Sequence, residues 1–169
     1  NALAHLKAAA YLGARFVRID AGGSREAATW TSEQFDLIVK RYREYAQYAF
    51  DHGFRMGIEN HWGPEKSWAN LKKVYEAVKH PGFGVSCHIG GWAGTAEEVA
   101  LADKLVAPWA AHTHIPWNIC EGLLMEKLDS LYKANYPAYY SVEHHSAVNE
   151  YSEVGVQIAQ RWIVARMRN

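Results

Sequence analysis

Five short apolar runs recur along the chain, and a loop and then a helical pattern follow each of them. The runs occupy residues 16–20, 55–59, 83–88, 110–114 and 139–143. Each has the length of a buried strand. This alternation predicts an α/β fold of parallel strands joined by crossover helices. No linker or low-complexity segment interrupts it, so residues 1–169 are predicted to form a single domain.

The segments between the runs carry signals for the start and end of helices. Thr31 with Gln34, and Thr95 with Glu98, match the capping box that opens many helices. Gly53 stands where a residue that ends a helix is expected. Further helices are predicted over residues 3–12 and 68–78, around Leu124, Leu128 and Leu131, and from Val154 to Ala165.

Each apolar run ends on a side chain that can do chemistry: Asp20, Glu59, His88, His114 and Glu143. In α/β proteins the carboxyl ends of parallel strands are where sites are built. Neighbouring strands lie ~4.8 Å apart, so four successive ends of a flat sheet span roughly 14 Å. Metal–ligand bonds measure only about 2 Å. If these side chains act together, the sheet must curl into a barrel.

A closed barrel of this kind has eight strands, and the chain supplies five. We therefore expect a partial barrel whose remaining three units lie N-terminal to Asn1. Open sheet edges need to be covered, and pairing with a second copy of the chain is one way to do so. A homo-oligomer is therefore a prediction of this pattern.

Composition narrows the classes of partner. Lys plus Arg and Asp plus Glu both number 18, so the formal net charge is zero and gives no electrostatic footprint for nucleic acid. No apolar run approaches the ~20 residues of a membrane helix. The two cysteines, Cys87 and Cys120, are far apart, which argues against a disulfide scaffold or a thiolate zinc site. We expect a cytoplasmic protein with neither nucleic-acid nor membrane partners, and Cys87 as a small buried residue.

Several segments resemble the sugar phosphate isomerase/epimerase family of xylose isomerase-like TIM barrels. AAYLGARFVRID resembles the family's entry into a strand, and YAFDHGFRMGIENHWG resembles its fifth strand. HPGFGVSCHIGGW, AAHTHIPWN and YPAYYSVEHHSAVNEY resemble the sixth, seventh and eighth strands. The resemblance covers essentially the whole chain and implies the last five β/α units of that barrel.

The resemblance implies a divalent-metal site held by Glu59, His88, His114 and Glu143. His88 stands where the family usually has Asp, Gly91 where many epimerases have His, and Pro116 and Trp117 where a basic residue often follows. Histidine in place of Asp shifts the expected metal from Mg²⁺ towards Mn²⁺, Zn²⁺, Fe²⁺ or Co²⁺.

The expected activity is isomerisation or epimerisation of a sugar or sugar phosphate through a metal-stabilised enediolate. Glu59 and Glu143 are expected on opposite sides of the site, so that one removes a proton and the other returns it. Return to the opposite face gives an epimer, and return to the neighbouring carbon gives an isomer.

Residues just beyond the strand ends are candidates for contact with a sugar substrate: Asn60, His61, Trp62, Trp92, Trp117 and His145. His112 lies on the same side of its strand as His114 and is predicted to contact and orient that ligand, although it is itself an alternative ligand. Arg18 and Asp20 are interpreted as an internal ion pair or polar layer, with a functional role as the alternative.

Three other functions stay open at this stage. A non-catalytic barrel that binds a sugar or a partner retains the shape and loses the chemistry. An endonuclease IV-like DNA repair enzyme shares the barrel, but it requires a basic groove, against which zero net charge argues. Lyase or dehydratase chemistry on the same enediolate is close to isomerase or epimerase chemistry and hard to separate from it by sequence. The sequence names no substrate and shows no glycine-rich phosphate loop.

Overall fold

Five parallel strands form one sheet in chain order in the computed structural model of the protein, which describes residues 2–145 and 148–168. The strands are β1 (Phe16–Arg18), β2 (Arg55–Glu59), β3 (Phe83–His88), β4 (Ala110–Pro116) and β5 (Tyr140–Glu143). The sheet curls into a half-barrel. The parallel order confirms the predicted alternation of strands and crossover helices.

Seven α-helices accompany the strands over the described ranges. They are α1 (Ala2–Tyr11), α2 (Ser32–Asp51), α3 (Trp68–Val78), α4 (Ala96–Val106), α5 (Trp117–Glu121), α6 (Asp129–Lys133) and α7 (Asn149–Met167). Short 3₁₀ turns cover Gly63–Lys66, Ala107–Trp109 and Met125–Leu128. In this part of the chain no helix is both long enough and apolar enough to cross a membrane.

Both predicted capping boxes are present. Thr31 opens α2 and Thr95 opens α4, and in each case the side chain accepts from the backbone three residues on while Gln34 or Glu98 bonds back. Gly53 follows the end of α2 with φ +77°, a left-handed conformation that glycine adopts without strain. The starts of α2 and α4 and the end of α2 therefore follow local sequence signals.

Three strand boundaries differ by one to two residues from the runs predicted near them. β1 ends at Arg18, so Asp20 lies in the following loop. Ile19 still donates to the Gly57 carbonyl, but Gly22 and Gly23 then turn the chain with positive φ. At the other side of the sheet, β4 runs on to residue 116 and β5 begins at residue 140, because the last residues of β4 still pair with β5.

The single helix predicted around Leu124, Leu128 and Leu131 is also wrong. The chain there forms α5, the 3₁₀ turn at Met125–Leu128 and α6. Leu123 adopts φ +54°, which breaks the helix after Gly122. Leu128 and Leu131 are fully buried, so the apolar spacing marked the core correctly although it crossed a break.

The hydrophobic core lies between the outer face of the sheet and the helices. Alternate residues of each strand face opposite sides, so Met56, Ile58, Val85, Cys87 and Ile115 point outward and are fully buried. Cys87 is the buried filler that the sequence predicts. The other set of alternate residues faces the inside of the half-barrel, and it includes the strand-end histidines and carboxylates.

Candidate active site

Four donor side chains meet at the carboxyl ends of four neighbouring strands: Glu59 on β2, His88 on β3, His114 on β4 and Glu143 on β5. One ligand atom from each lies within 4.8 Å of all the others. The register explains the meeting, because His88 pairs directly with His114 while Glu143 lies two residues above the partner of His114, Ser141. The stagger of the curled sheet therefore brings the four ends together.

Glu59 and Glu143 lie on either side of the two histidines. Glu59 Oε1 lies 2.6 Å from His114 Nδ1 and 3.5 Å from His88 Nδ1. Glu143 Oε2 lies 3.3 Å from His88 Nδ1 and 3.6 Å from His114 Nδ1. Both histidines thus present the same ring nitrogen to both carboxylates.

These spacings fit a single divalent ion. Ligand atoms about 2.1 Å from a metal lie roughly 3.0–3.4 Å from one another, and the four carboxylate–imidazole distances of 2.6–3.6 Å bracket that range. Glu59 is completely buried, and a carboxylate is rarely left in that position without a cation or a hydrogen-bonded partner. Two carboxylates and two imidazoles therefore form a coherent donor set.

Burial and hydrogen bonding act in opposite directions on the central pair. Burial by itself raises the pKa of Glu59, but hydrogen bonds from His114 and His88, with the nearby charge of Arg18, hold that pKa well below its usual range. The hydrogen bond to Glu59 raises the pKa of His114, against its burial. Glu59 is therefore the fixed negative charge around which the site is organised.

A second cluster lies against the other oxygen of Glu59. The guanidinium of Arg18 bonds Glu59 Oε2 through Nη1, and its Nε lies 3.4 Å from Asp20 Oδ1. His61 Nδ1 lies 3.7 Å from Asp20 Oδ2 and 3.9 Å from Glu59 Oε2. The ion pair between Arg18 and Asp20 expected from the sequence is present, and it extends to Glu59.

Asn60 acts on the backbone of the neighbouring strand. Its amide donates to the His88 carbonyl at 2.8 Å and accepts from the His88 N–H at 2.7 Å. Asn60 is 1% exposed, so its side chain is committed to holding β3 beside β2. Asn60 therefore holds the backbone of His88 in place through both bonds. Its contact with a substrate stays a prediction.

His61 and Trp62 form a stack at the rim of the site. Their ring centroids lie 4.1 Å apart with an angle of 20° between the ring planes. The Arg25 guanidinium lies over the Trp62 ring, 4.1 Å from its centroid. His145 is 82% exposed and lies 3.7 Å from Glu143 Oε1. These three predicted substrate residues border the donor cluster, two beyond β2 and one beyond β5.

Two predicted tryptophans make packing contacts. Trp92 is 5% exposed and its indole donates to Asp103 of α4 at 2.8 Å, so it joins a loop to a helix. Trp117 stacks on Tyr151 of α7 at 5.1 Å and meets His144 edge-on. Contact of either ring with a substrate stays a prediction.

His112 lies directly below the donor cluster on the inner face of β4. Its ring meets His114 edge-on at 5.3 Å, stacks on Phe16 at 5.4 Å, and its Nε2 lies 3.3 Å from Ser141 Oγ. Burial lowers the pKa of His112, with the neighbouring His114 adding to the effect. His112 therefore supports His114 by ring contact, and it lies outside the four-donor group.

Two buried carboxylates were missed by sequence reasoning. Glu65 is completely buried and accepts from the Ala21 N–H at 2.7 Å, and Asp103 accepts from the Gly90 N–H and from Trp92. Glu65 stands in the loop after β2 and Asp103 on the amphipathic helix α4. Neither position differs from an ordinary surface carboxylate in the sequence pattern.

The half-barrel and its strand-end donors define a class of α/β barrel with a site at the carboxyl ends of the strands. The chain belongs to the xylose isomerase-like TIM barrel family, whose model matches residues 1–163. No curated protein matches the chain in sequence.

Solved structures share the fold at low sequence identity. A xylose isomerase-like TIM barrel protein from Mycobacterium smegmatis, in complex with magnesium, superposes with TM-score 0.71 at 14% identity over 92% of this chain and 63% of that one. D-allulose 3-epimerase from Methylomonas sp. gives 0.70 at 13% identity over 95% and 66%. The probable 3-DHS dehydratase AsbF of Bacillus anthracis gives 0.65 at 12% identity over 92% and 68%. The chain thus spans about two thirds of the length of these structures.

Proposed function

We propose that the chain is the last five β/α units of a metal-dependent barrel enzyme that isomerises or epimerises a sugar or sugar phosphate. The observation that carries the proposal is the cluster of Glu59, His88, His114 and Glu143, whose donor atoms lie within 4.8 Å of one another. The name of one structural neighbour, D-allulose 3-epimerase, supports a sugar as the substrate class.

The four donors would hold one divalent ion. Two imidazole nitrogens favour Zn²⁺, Mn²⁺, Fe²⁺ or Co²⁺ over Mg²⁺, which prefers an all-oxygen shell. Such an ion, when bound, supplies an electrophile that polarises the substrate carbonyl and stabilises negative charge on its oxygen.

The two glutamates have different roles in the proton transfer. Glu59 has both oxygens engaged, Oε1 with His114 and Oε2 with Arg18. Glu143 is 26% exposed, and its Oε1 faces only the solvent-exposed His145 at 3.7 Å among its ionic neighbours in the described chain. We therefore assign removal of the substrate proton to Glu143, which also returns it to the neighbouring carbon, while Glu59 stays ionised and holds the ion.

The rim residues would bind the sugar. The His61 ring of this stack is 34% exposed and offers an aromatic surface to the apolar face of a pyranose or an open-chain ketose. His145 offers a ring nitrogen for a hydroxyl on the Glu143 side. These contacts suit a polyhydroxylated ligand beside the donor cluster.

The experiment compares metal content and proton exchange in the purified chain and in Glu143→Gln. Elemental analysis of the wild type should give close to one equivalent of Zn, Mn or Fe, which the variant loses or binds more weakly. A panel of ketoses in D₂O should gain deuterium beside the carbonyl with the wild type. The variant should exchange about 10²–10⁴ times more slowly, the range expected for loss of a positioned acid–base group.

Glu121→Gln is the matched control, because it makes the same chemical change on an exposed residue of α5. It should retain both the metal and the exchange. No metal in any of the three proteins, even after reconstitution, would contradict the proposal. Metal retained without exchange on any sugar would favour a barrel that binds its ligand without chemistry.

A further inference from the structure

The Arg18 guanidinium occupies the side of the site opposite the two histidines. It bonds Glu59 Oε2 through Nη1, and its Nε lies 3.4 Å from Asp20 Oδ1. Arg18 reaches this position because it pairs with Gly57, two residues below Glu59, and glycine leaves the inner face open above it. One cation of the chain is therefore fixed between two carboxylates.

The two oxygens of Glu59 consequently face different surroundings. Oε1 faces the imidazoles of His88 and His114, while Oε2 faces Arg18 and His61. Glu59 can offer Oε1 to the four-donor site, and Oε2 remains for the cluster formed with Asp20.

That second cluster has the donor types of a metal site. Asp20, Glu59 and His61 each present a ligand atom within 4.8 Å of the other two. Among the described residues His61 Nδ1 is buried without a hydrogen-bond partner, since its distances of 3.7 and 3.9 Å to the carboxylates exceed hydrogen-bond range. Two carboxylates and an uncommitted imidazole nitrogen thus lie together beside the four-donor site.

We propose that Arg18 takes the place of a second metal ion at Asp20, Glu59 and His61, and thereby limits the site to one ion. The inference rests on the proposed function for the first ion, at Glu59, His88, His114 and Glu143. Its new content is the role of Arg18, which sets how many ions the shared Glu59 carries.

Guanidinium chemistry suits this role. Its planar array of N–H donors matches carboxylates in fixed geometry, and the group stays charged at every pH at which the protein is folded. A divalent ion approaching the same carboxylates meets that positive charge at close range in a partly buried site, where repulsion is weakly screened. Removing the guanidinium leaves two carboxylates and His61 without a cation.

The experiment counts bound ions in variants of Arg18. Apoprotein of the wild type, Arg18→Met and Arg18→Gln is titrated with Zn²⁺ by calorimetry, and the bound metal is counted by elemental analysis after dialysis. The wild type should bind one equivalent and the two variants two. Arg18→Met/Asp20→Asn should return to one equivalent, because the second donor set has lost a carboxylate. Circular dichroism checks that each variant is folded.

Two results would overturn the inference alone: folded Arg18 variants that bind one equivalent like the wild type, or that bind none. A wild type that binds two equivalents and loses one in Asp20→Asn would also overturn it, and this comparison needs no Arg18 variant to fold. A wild type that binds no ion would overturn the proposed function and this inference with it. A failure of the inference about Arg18 can therefore be distinguished from a failure of the proposed function.

Discussion

Glu65 is a buried carboxylate of the 3₁₀ turn after β2 that forms no ion pair with any described residue. Its side chain is completely buried, Oε1 accepts from the Ala21 N–H, and Oε2 has no hydrogen-bond partner among the described residues. Burial raises the pKa of Glu65 to about 7, with the charge of Asp20 acting in the same direction and the Ala21 N–H against it. Glu65 therefore joins the 3₁₀ turn after β2 to the loop that carries Asp20.

We predict that Glu65 makes the stability of the fold fall as the pH rises from about 4.5 to about 7. The folded state holds the proton more tightly than the unfolded chain, whose ordinary pKa is 4.5, so the stabilisation is present below that pH and is lost above it. The free energy of unfolding of Glu65→Gln should exceed that of the wild type by an amount that grows with pH, up to about 3 kcal/mol. Denaturant titrations at several pH values measure the difference.

Glu76→Gln is the control for this prediction, because Glu76 is an exposed carboxylate on α3. Its unfolding curve should follow the wild type across the pH range to within a few tenths of a kcal/mol. Parallel curves for the wild type and Glu65→Gln would show that the buried carboxyl does not titrate in this window.

At the residue scale, sequence reasoning predicted the donors better than their surroundings. Glu59, His88, His114 and Glu143 were predicted because each ends a predicted strand and because the family resemblance implies these four as ligands. The hydrogen-bond partners of Glu59 were not predictable, because they come from other strands. Arg18 on Glu59 Oε2 is the clearest case, since 41 residues separate the two positions.

At the element scale, two glycines allow β2 and β3 to approach. Gly57 and Gly84 are register partners, and a Cβ built on Gly57 would lie 2.0 Å from the Gly84 carbonyl oxygen. The contact is with backbone, which cannot move aside as a flexible side chain does. Gly57 does not have a positive φ, so its backbone conformation would allow other residues. Close packing against β3 is therefore what requires glycine at this position.

We predict that Gly57→Ala destabilises the fold by about 3 kcal/mol or more, at the upper end of the cost of overpacking. Chemical denaturation followed by circular dichroism measures the change. Ser86→Ala is the control on the inner face of β3, because Ser86 Oγ is buried without a hydrogen-bond partner in the described part of the chain. Its removal should be close to neutral. A neutral Gly57→Ala would mean that the two strands can separate at this point.

Some helix boundaries follow a local sequence signal and others do not. The capping boxes of α2 and α4 are local, so the sequence predicted both helix starts to the residue. The break between α5 and α6 has no such signal in the sequence. Leu123 enters the left-handed region, and the Leu124 N–H bonds back to the Ile119 carbonyl, which ends α5. Leucine is an uncommon residue in that conformation, so the spacing of the leucines predicted a continuous helix.

At the scale of the whole molecule, the sheet has two open edges. Among residues 2–145 and 148–168, β1 pairs only with β2 and β5 only with β4. A cavity of about 650 Å³, lined by Phe16, Arg55 and His112 among others, opens at the amino ends of the strands, away from the donor cluster. The inner face of the half-barrel is therefore accessible from both ends.

We predict that the isolated chain associates with itself, because unpaired parallel edges and an accessible inner face favour pairing with a second copy. Multi-angle light scattering should give a mass above the 19.1 kDa of one chain. Residues 15 and 19 bond to β2, so the N–H of Phe16 faces the open edge of β1. Phe16→Pro should lower that mass if β1 pairs, while Phe16→Ala, which keeps the N–H, should not. A stable monomer across the concentration range would contradict the prediction.

The sequence by itself determined the order of strands and helices, two helix caps and the residues that lie near the strand ends. These depend on spacing and on local hydrogen bonds, which neighbouring residues decide. The choice of four of those residues as donors came from the family resemblance. The tertiary structure alone decided which partners the donors have, which packing contacts Trp92 and Trp117 make, and that Glu65 is buried with no cation beside it among the described residues. Those outcomes depend on the stagger between strands and on contacts between distant segments, and no local pattern encodes either.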